Sequence, residues 1–223
     1  MAYPILKKTW LPLVRFFIKP AKGLENIPTK GNFIIACKHV GSIMDGVFIG
    51  ATIIPQIDQK IHFISMVAEW GWFWKEKVTK QWAGVIPYYK DNPKAALDMA
   101  VHYLKAGKIV GIFPEGILYN RIDNQSRIKT GIARLAIKSR LPILPIGLDY
   151  KINDKDGFKN MQNHWHVIWQ TILHPRSVQV KIGQLFEISE YYHREFTRKM
   201  LFEASNYIMK KIDKISKVTI NNY

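Results

Sequence analysis

The order of strands and helices in this protein is set by residues 32–54, which begin Asn32-Phe-Ile-Ile-Ala-Cys-Lys-His-Val-Gly-Ser-Ile-Met-Asp45. Residues 32–37 form a short apolar run that is typical of a buried strand. Residues 42–54 then predict a helix, which we expect Pro55 to end. A buried strand that leads through a short turn into a helix is the repeating unit of α/β sheets.

The same alternation continues along the chain. Further strands are predicted at residues 61–67, 84–89, 108–113, 143–148 and 178–182, and further helices at residues 93–106, 131–139 and 191–215. This order predicts an α/β fold: a single-domain layered sheet, mostly parallel, flanked by helices on both faces. No repeat or low-complexity linker divides it, so we expect one domain over residues 23–223 after an N-terminal segment of residues 1–22.

Composition and charge narrow the class of protein. The 223 residues are 48% hydrophobic, which is enough for a buried core and excludes a disordered chain. Lys and Arg number 33 against 17 Asp and Glu, and the net charge of +16 favours contact with polyanions or anionic lipid. The single cysteine, Cys37, excludes an internal disulfide framework and a cysteine-based zinc cluster.

The N-terminal segment mixes cations with aromatic and aliphatic side chains. Between residues 5 and 19, lysines and arginines alternate with Trp10, Leu13 and Phe16, a pattern that suits an interfacial membrane anchor. An amphipathic helix packed on the core explains this segment equally well. Four tryptophans within residues 70–82, interleaved with lysines, favour the membrane alternative. No apolar run is long enough to span a bilayer, so we expect peripheral attachment to an anionic membrane surface.

The first candidate for chemistry is the turn between the strand at residues 32–37 and its helix. His39 can take a proton from a hydroxyl group, and Asp45 behind it can orient the imidazole and stabilise its charged form. Ser42 and Asp45 also match a helix capping box, and the two roles of Asp45 are compatible.

A second candidate follows the strand at residues 108–113. The run Phe113-Pro-Glu-Gly116 predicts a tight turn that presents Glu115, and the basic residues after it, Arg121 among them, suit a phosphate group. Taken alone, this run favours the simpler interpretation, an ordinary strand-ending turn followed by a solvated basic loop.

Taken together, the motifs resemble a known family. The His39–Asp45 block, Gly84-Val-Ile-Pro-Tyr-Tyr-Lys90, Phe113-Pro-Glu-Gly116 and Leu141-Pro-Ile-Leu-Pro-Ile146 occur in the order found in glycerol-3-phosphate and lysophosphatidic acid acyltransferases. The resemblance covers residues 23–183. Two departures stand out: five residues rather than four separate His39 from Asp45, and Lys90 replaces the usual arginine.

The resemblance implies acyl transfer from acyl-coenzyme A or acyl carrier protein to the hydroxyl of a lysophospholipid. The expected acceptor is 1-acyl-sn-glycerol-3-phosphate, which would give phosphatidic acid at the cytoplasmic face of a membrane. It further implies His39 as the base and Asp45 as its partner; Lys90 and Arg121 would bind the acceptor phosphate, and Glu115 with Gly116 would shape the acceptor pocket.

The sequence also bears on cofactors, on nucleic acid and on a non-catalytic role. No metal ion or cofactor is expected beyond the thioester co-substrate. Nucleic acid is not an expected partner, because no RNA- or DNA-binding module is recognisable. The alternative is a basic peripheral membrane protein of the same fold that binds lipid without catalysis, as the changed spacing and the changed cations could indicate.

Overall fold

A computed structural model of the protein describes residues 2–38, 44–66, 84–116, 128–150 and 164–215. The helices in these ranges are α1 (Ala2–Phe17), α2 (Met44–Ile57), α3 (Pro93–Lys105), α4 (Gly131–Ser139), α5 (His164–Leu173) and α6 (Arg198–Asp213). The strands are β1 (Lys19–Lys22), β2 (Ile34–Cys37), β3 (Ile61–Met66), β4 (Ile86–Tyr88), β5 (Ile109–Ile112), β6 (Ile143–Tyr150) and β7 (Val178–Ile182). His39, Arg121 and the tryptophans between residues 70 and 82 lie outside the described residues.

The described strands form one sheet in the order β1-β7-β6-β2-β5-β3-β4. Strands β6, β2, β5, β3 and β4 run parallel to their neighbours. The pair β6 and β7 is antiparallel, and β1 then runs parallel to β7. The prediction of a mostly parallel sheet is therefore confirmed, and β2 lies in its middle with all four residues buried.

Helices cover both faces of this sheet, as the sequence predicts. Ile35 and Cys37 of β2 point into one core, which is completed by α1, α2 and α5. Ile34 and Ala36 point to the opposite face and pack with α3, α4 and α6. This division follows from the strand geometry, since successive side chains of a strand face opposite sides.

Two predicted helix boundaries are wrong. Helix α2 does not end at Pro55 but continues to Ile57, so the proline lies inside its last turn. The C-terminal helix begins at Arg198 rather than at residue 191, because the Thr197 side chain accepts a hydrogen bond from the Met200 amide at 3.2 Å and caps it.

Helix α1 packs on the outside of α2. Val14 of α1 is buried in the shared core, and Lys7 forms an ion pair with Asp58 just beyond the end of α2. The two helices therefore run in opposite directions. Among the described residues, no helix is long and apolar enough to cross a membrane.

Candidate active site

The candidate site lies at the carboxyl-terminal edge of the sheet, where β2 has β6 on one side and β5 on the other. Since these three strands are parallel, the segments that follow them emerge at the same edge. In open α/β sheets this edge is the usual location of ligand sites. The residues that meet here are Cys37 at the end of β2, Asp45 in the first turn of α2, Glu115 after β5 and Tyr150 at the end of β6.

Asp45 is completely buried and is held by a side chain far away in the sequence. The hydroxyl group of Tyr150 donates a hydrogen bond to Oδ1 of Asp45 at 2.5 Å. The Tyr150 ring is itself buried and contacts the Phe48 ring edge-on, with 6.1 Å between the ring centroids. A buried carboxylate needs such a partner, because without one its desolvation would be very unfavourable.

The Tyr150 hydroxyl is a permanent donor in this pair. Burial first, and then the charge of Asp45 and the hydrogen bond to it, raise the pKa of Tyr150 well above its ordinary value. The hydroxyl group therefore keeps its proton throughout the neutral range. Tyr150 was not among the residues that the sequence indicated for this site.

The pKa of the Cys37 thiol indicates which charged groups lie near it. Burial raises its pKa most, and the nearby charges of Asp45 and Glu115 raise it further. The two carboxylates thus act on the same buried point at the end of β2. A thiol in this environment stays protonated and behaves as a small apolar side chain rather than as a nucleophile.

Glu115 and Gly116 form the tight turn that the sequence predicts. The Gly116 amide donates to the Phe113 carbonyl at 3.0 Å, and the Lys129 amide donates to the Pro114 carbonyl at 2.9 Å. Gly116 has φ +80°, a left-handed conformation that favours glycine. Glu115 is only 7% exposed, so the turn fixes a buried carboxylate beside β2.

The aromatic part of this turn is anchored on the sheet. The Phe113 ring stacks on the Phe63 ring of β3, with centroids 5.7 Å apart and planes 18° from parallel. The Phe63 ring in turn covers Gly111 of β5, where a β carbon would lie 2.3 Å from it. Glycine at position 111 therefore makes room for the ring that supports the turn.

Lys90 is exposed and follows β4, at the same edge of the sheet as the buried carboxylates. Strand β4 is three strands from β2, a separation of about 14 Å at about 4.8 Å per strand. The structure thus brings Asp45 and Glu115 together and leaves Lys90 at a distance along the edge. His39 and Arg121 lie outside the described residues, and the distance between His39 and Asp45 stays a prediction.

The described part of the site contains groups suited to stabilising a nearby positive charge, while its tyrosine hydroxyl keeps its proton. Its two buried carboxylates and a tyrosine hydroxyl surround the end of β2, two residues before His39. In the ranges that the structure describes, no group of three or more His, Cys, Asp or Glu residues could hold a metal ion.

Comparison with known proteins gives one family. The family model described as acyltransferase matches residues 20–149, which is more than half of the chain. The chain is 29% identical over 143 residues to a 1-acyl-sn-glycerol-3-phosphate acyltransferase of Bacillus subtilis (strain 168), a match that covers 60% of this chain. It is 27% identical over 148 residues to a protein of the same name from Borreliella burgdorferi, over 65% of this chain. The chain spans 64% and 55% of the length of these two relatives.

Proposed function

Because the chain belongs to the acyltransferase family, we propose that it transfers a fatty acyl group from a thioester to the free hydroxyl of a lysophospholipid. The acceptor that we propose is 1-acyl-sn-glycerol-3-phosphate, in line with the names of the two relatives, and the product is then phosphatidic acid. The donor is acyl-coenzyme A or acyl carrier protein, and the reaction takes place at the cytoplasmic face of a membrane to which the protein is peripherally attached.

In the proposed reaction the imidazole of His39 removes the proton from the acceptor hydroxyl as its oxygen attacks the thioester carbonyl carbon. The tetrahedral intermediate then collapses, the carbon–sulfur bond breaks, and the proton passes from the imidazolium to the leaving thiolate. The products are an ester and a free thiol. No covalent acyl-enzyme is needed, in agreement with the inert environment of Cys37.

Asp45 has the role of orienting His39 and balancing its transient positive charge. Two properties of Asp45 support this proposal: it is fully buried, and Tyr150 fixes one of its oxygens. A carboxylate held in this way responds to a new positive charge nearby without first having to reorganise.

Acceptor binding is assigned to residues outside this pair. We propose that Lys90 and Arg121 bind the phosphate and that Glu115 with Gly116 shapes the acceptor pocket. The exposure of Lys90 at the carboxyl-terminal edge supports its part in this assignment, because a lysine there can meet a charged headgroup that arrives from solvent or from a membrane. A tetrahedral oxyanion also needs N–H donors, and the amides at the start of the helix predicted from Ser42 are candidates.

One observation carries the proposal: Asp45, Glu115 and Tyr150 converge at the strand end that leads into His39. The test is a transfer assay with 1-acyl-sn-glycerol-3-phosphate and each of the two donors, with the lipid products identified by mass spectrometry. We expect phosphatidic acid, and a much lower rate with monoacylglycerol, the matched acceptor without phosphate. The absence of product with every donor and acceptor pair would contradict catalysis and favour the lipid-binding alternative.

A further inference from the structure

The outward faces of α1 and α5 are apolar, although both helices already bury an apolar inward face. In α5, Val167 and Thr171 point into the core, whereas the outer stripe carries Trp169, Ile172 and Leu173, which are 59%, 42% and 66% exposed. In α1, Val14 points inward. The outer stripe of α1 carries Trp10, Leu13 and Phe16, which are 47%, 51% and 74% exposed. A helix at an ordinary protein surface is polar on its outer face, so an apolar outer stripe indicates an interaction surface.

The two stripes end at the same place. Helix α1 leads into β1 and α5 leads into β7, and these strands start side by side, with Lys19 paired with Gln179. The Arg176 amide, just after α5, donates to the Phe17 carbonyl at the end of α1. We call the exposed side chains Leu13, Phe16, Trp169, Ile172 and Leu173 at these two helix ends the apolar rim.

The apolar rim lies at the edge of the sheet that holds the candidate active site. Strand β7 is antiparallel to β6, and its first residue, Val178, pairs with Tyr150, the last residue of β6. Tyr150 is the residue that holds Asp45. The helix ends therefore arrive beside the catalytic edge rather than at the opposite edge of the sheet.

The positive charge around the apolar rim indicates an anionic partner. Neither α1 nor α5 contains an Asp or a Glu, while Lys8, Arg15 and Arg176 are exposed beside the stripes. Tryptophan with flanking cations is the combination that enters the boundary between the acyl chains and anionic headgroups of a bilayer. The net charge of +16 adds long-range attraction to such a surface.

We infer that the apolar rim is a membrane-docking surface for anionic bilayers, with α5 as its second half beside the N-terminal helix. Docking through two helix ends at the catalytic edge turns the active site toward the membrane, whereas a single flexible anchor would leave its orientation open. The inference relies on the proposed function for one point only, the acceptor that the bilayer delivers to the site.

The test is cosedimentation of the full chain with vesicles of phosphatidylglycerol and phosphatidylethanolamine, without acceptor or acyl donor. The double variant Trp169→Ser/Leu173→Ser should bind these vesicles at least about tenfold more weakly, which corresponds to about 1.4 kcal/mol. The matched control is Met99→Ser/Phe202→Ser, which removes two side chains that are 39% and 49% exposed on helices of the opposite face. This control should bind like the wild type.

A second measurement remains decisive if the double variant does not fold. A fluorophore sensitive to polarity is attached at Leu173→Cys, and in a separate protein at Phe202→Cys; the buried Cys37 stays unlabelled. Vesicles should shift the emission to shorter wavelength at position 173 and leave it unchanged at position 202. Vesicle binding needs no turnover, so an inactive protein that still docks through the rim would contradict the proposed function and leave this inference standing.

Two results would overturn the inference. One is equal vesicle binding by the wild type, the rim variant and the control, together with no emission shift at position 173. The other is a wild-type dimer in solution that the rim variant converts to a monomer with unchanged vesicle binding, which would make the rim a subunit interface.

Discussion

Replacing Tyr150 with phenylalanine isolates the hydrogen bond that holds Asp45. The ring keeps its contact with Phe48, and the one atom lost is the oxygen that donates to Asp45 at 2.5 Å. Both residues are buried, with 3% of Tyr150 and none of Asp45 exposed, so water cannot readily replace the donor. A hydrogen bond to a charged group contributes about 1.5–3 kcal/mol to stability. For a chain of this size we expect Tm to fall by roughly 4–8 °C.

The catalytic consequence of Tyr150→Phe separates a positioning role from a structural one. A less constrained carboxylate orients His39 less well, so we expect kcat to fall about tenfold, or about 1.4 kcal/mol in the barrier, with little change in KM. A carboxylate that is held less firmly also stabilises the imidazolium of His39 less well, so the acid limb of the profile of kcat/KM against pH should move to lower pH.

The assay measures initial rates of acyl transfer across a range of pH for the wild type, Tyr150→Phe and a matched control. The control is Tyr103→Phe, which also removes one tyrosine hydroxyl but lies beside His62, near the amino-terminal edge of the sheet. It should leave both kcat and the pH profile unchanged. A Tyr150→Phe protein with a lowered Tm but wild-type kcat and pH profile would refute the positioning role and leave Tyr150 a purely structural residue.

Three further predictions concern packing and protonation. Gly111→Ala would place a β carbon 2.3 Å from the Phe63 ring and should lower the free energy of unfolding, measured by urea titration, by about 1–3 kcal/mol. In the control Gly50→Ala the nearest neighbour of the new β carbon would be at 3.5 Å, so this variant should not be destabilised. Equal effects of the two substitutions would contradict the close packing at Gly111. Burial lowers the pKa of His62. The contribution of the neutral imidazole to folding stability should therefore be complete above its ordinary pKa of about 6.5 and be lost as the pH falls through the lower pKa of the folded state. His62→Gln should remove this pH dependence, and identical pH profiles of unfolding for the variant and the wild type would disprove the prediction. Since burial raises the pKa of Cys37, iodoacetamide should leave the native thiol unmodified and Cys37→Ala should keep its acyl-transfer activity; an inactive but folded variant would argue for a nucleophile.

The elements that sequence predicts best are those whose signals are local. The helix at residues 131–139 and the strand at residues 178–182 match α4 and β7 at both ends. Each is a short periodic run between clear turn signals. The left-handed Arg140, with φ +52°, marks the end of α4.

The elements that sequence misses depend on partners distant in the chain. Strand β1, Lys19–Lys22, has no apolar run and forms because it pairs with β7. The contact between Tyr150 and Asp45 joins residues 105 positions apart, and no spacing rule connects them. The last residues of α2 were not predicted for the same reason. The helix continues past Pro55 because it packs against α1 and the core, although proline is unfavourable inside a helix.

In the candidate site too, local features could be predicted from the sequence and long-range contacts could not. The motif residues Glu115 and Gly116 form a tight turn as predicted, because their turn chemistry is local. The convergence of Asp45 and Glu115 on the end of β2 follows from the parallel order of β6, β2 and β5, which the sequence indicated only as a fold class. The exposed apolar stripe of α5 could not be predicted, since exposure rather than composition distinguishes this stripe.

Turnover of His39→Gly with and without added imidazole shows whether residue 39 is the general base. If the side chain of residue 39 is the general base, the transfer rate of the variant should be about 10²–10⁴-fold lower. Free imidazole should restore part of this rate as the imidazole concentration rises. A folded His39→Gly protein that transfers acyl groups at the wild-type rate without imidazole would show that His39 is not the general base.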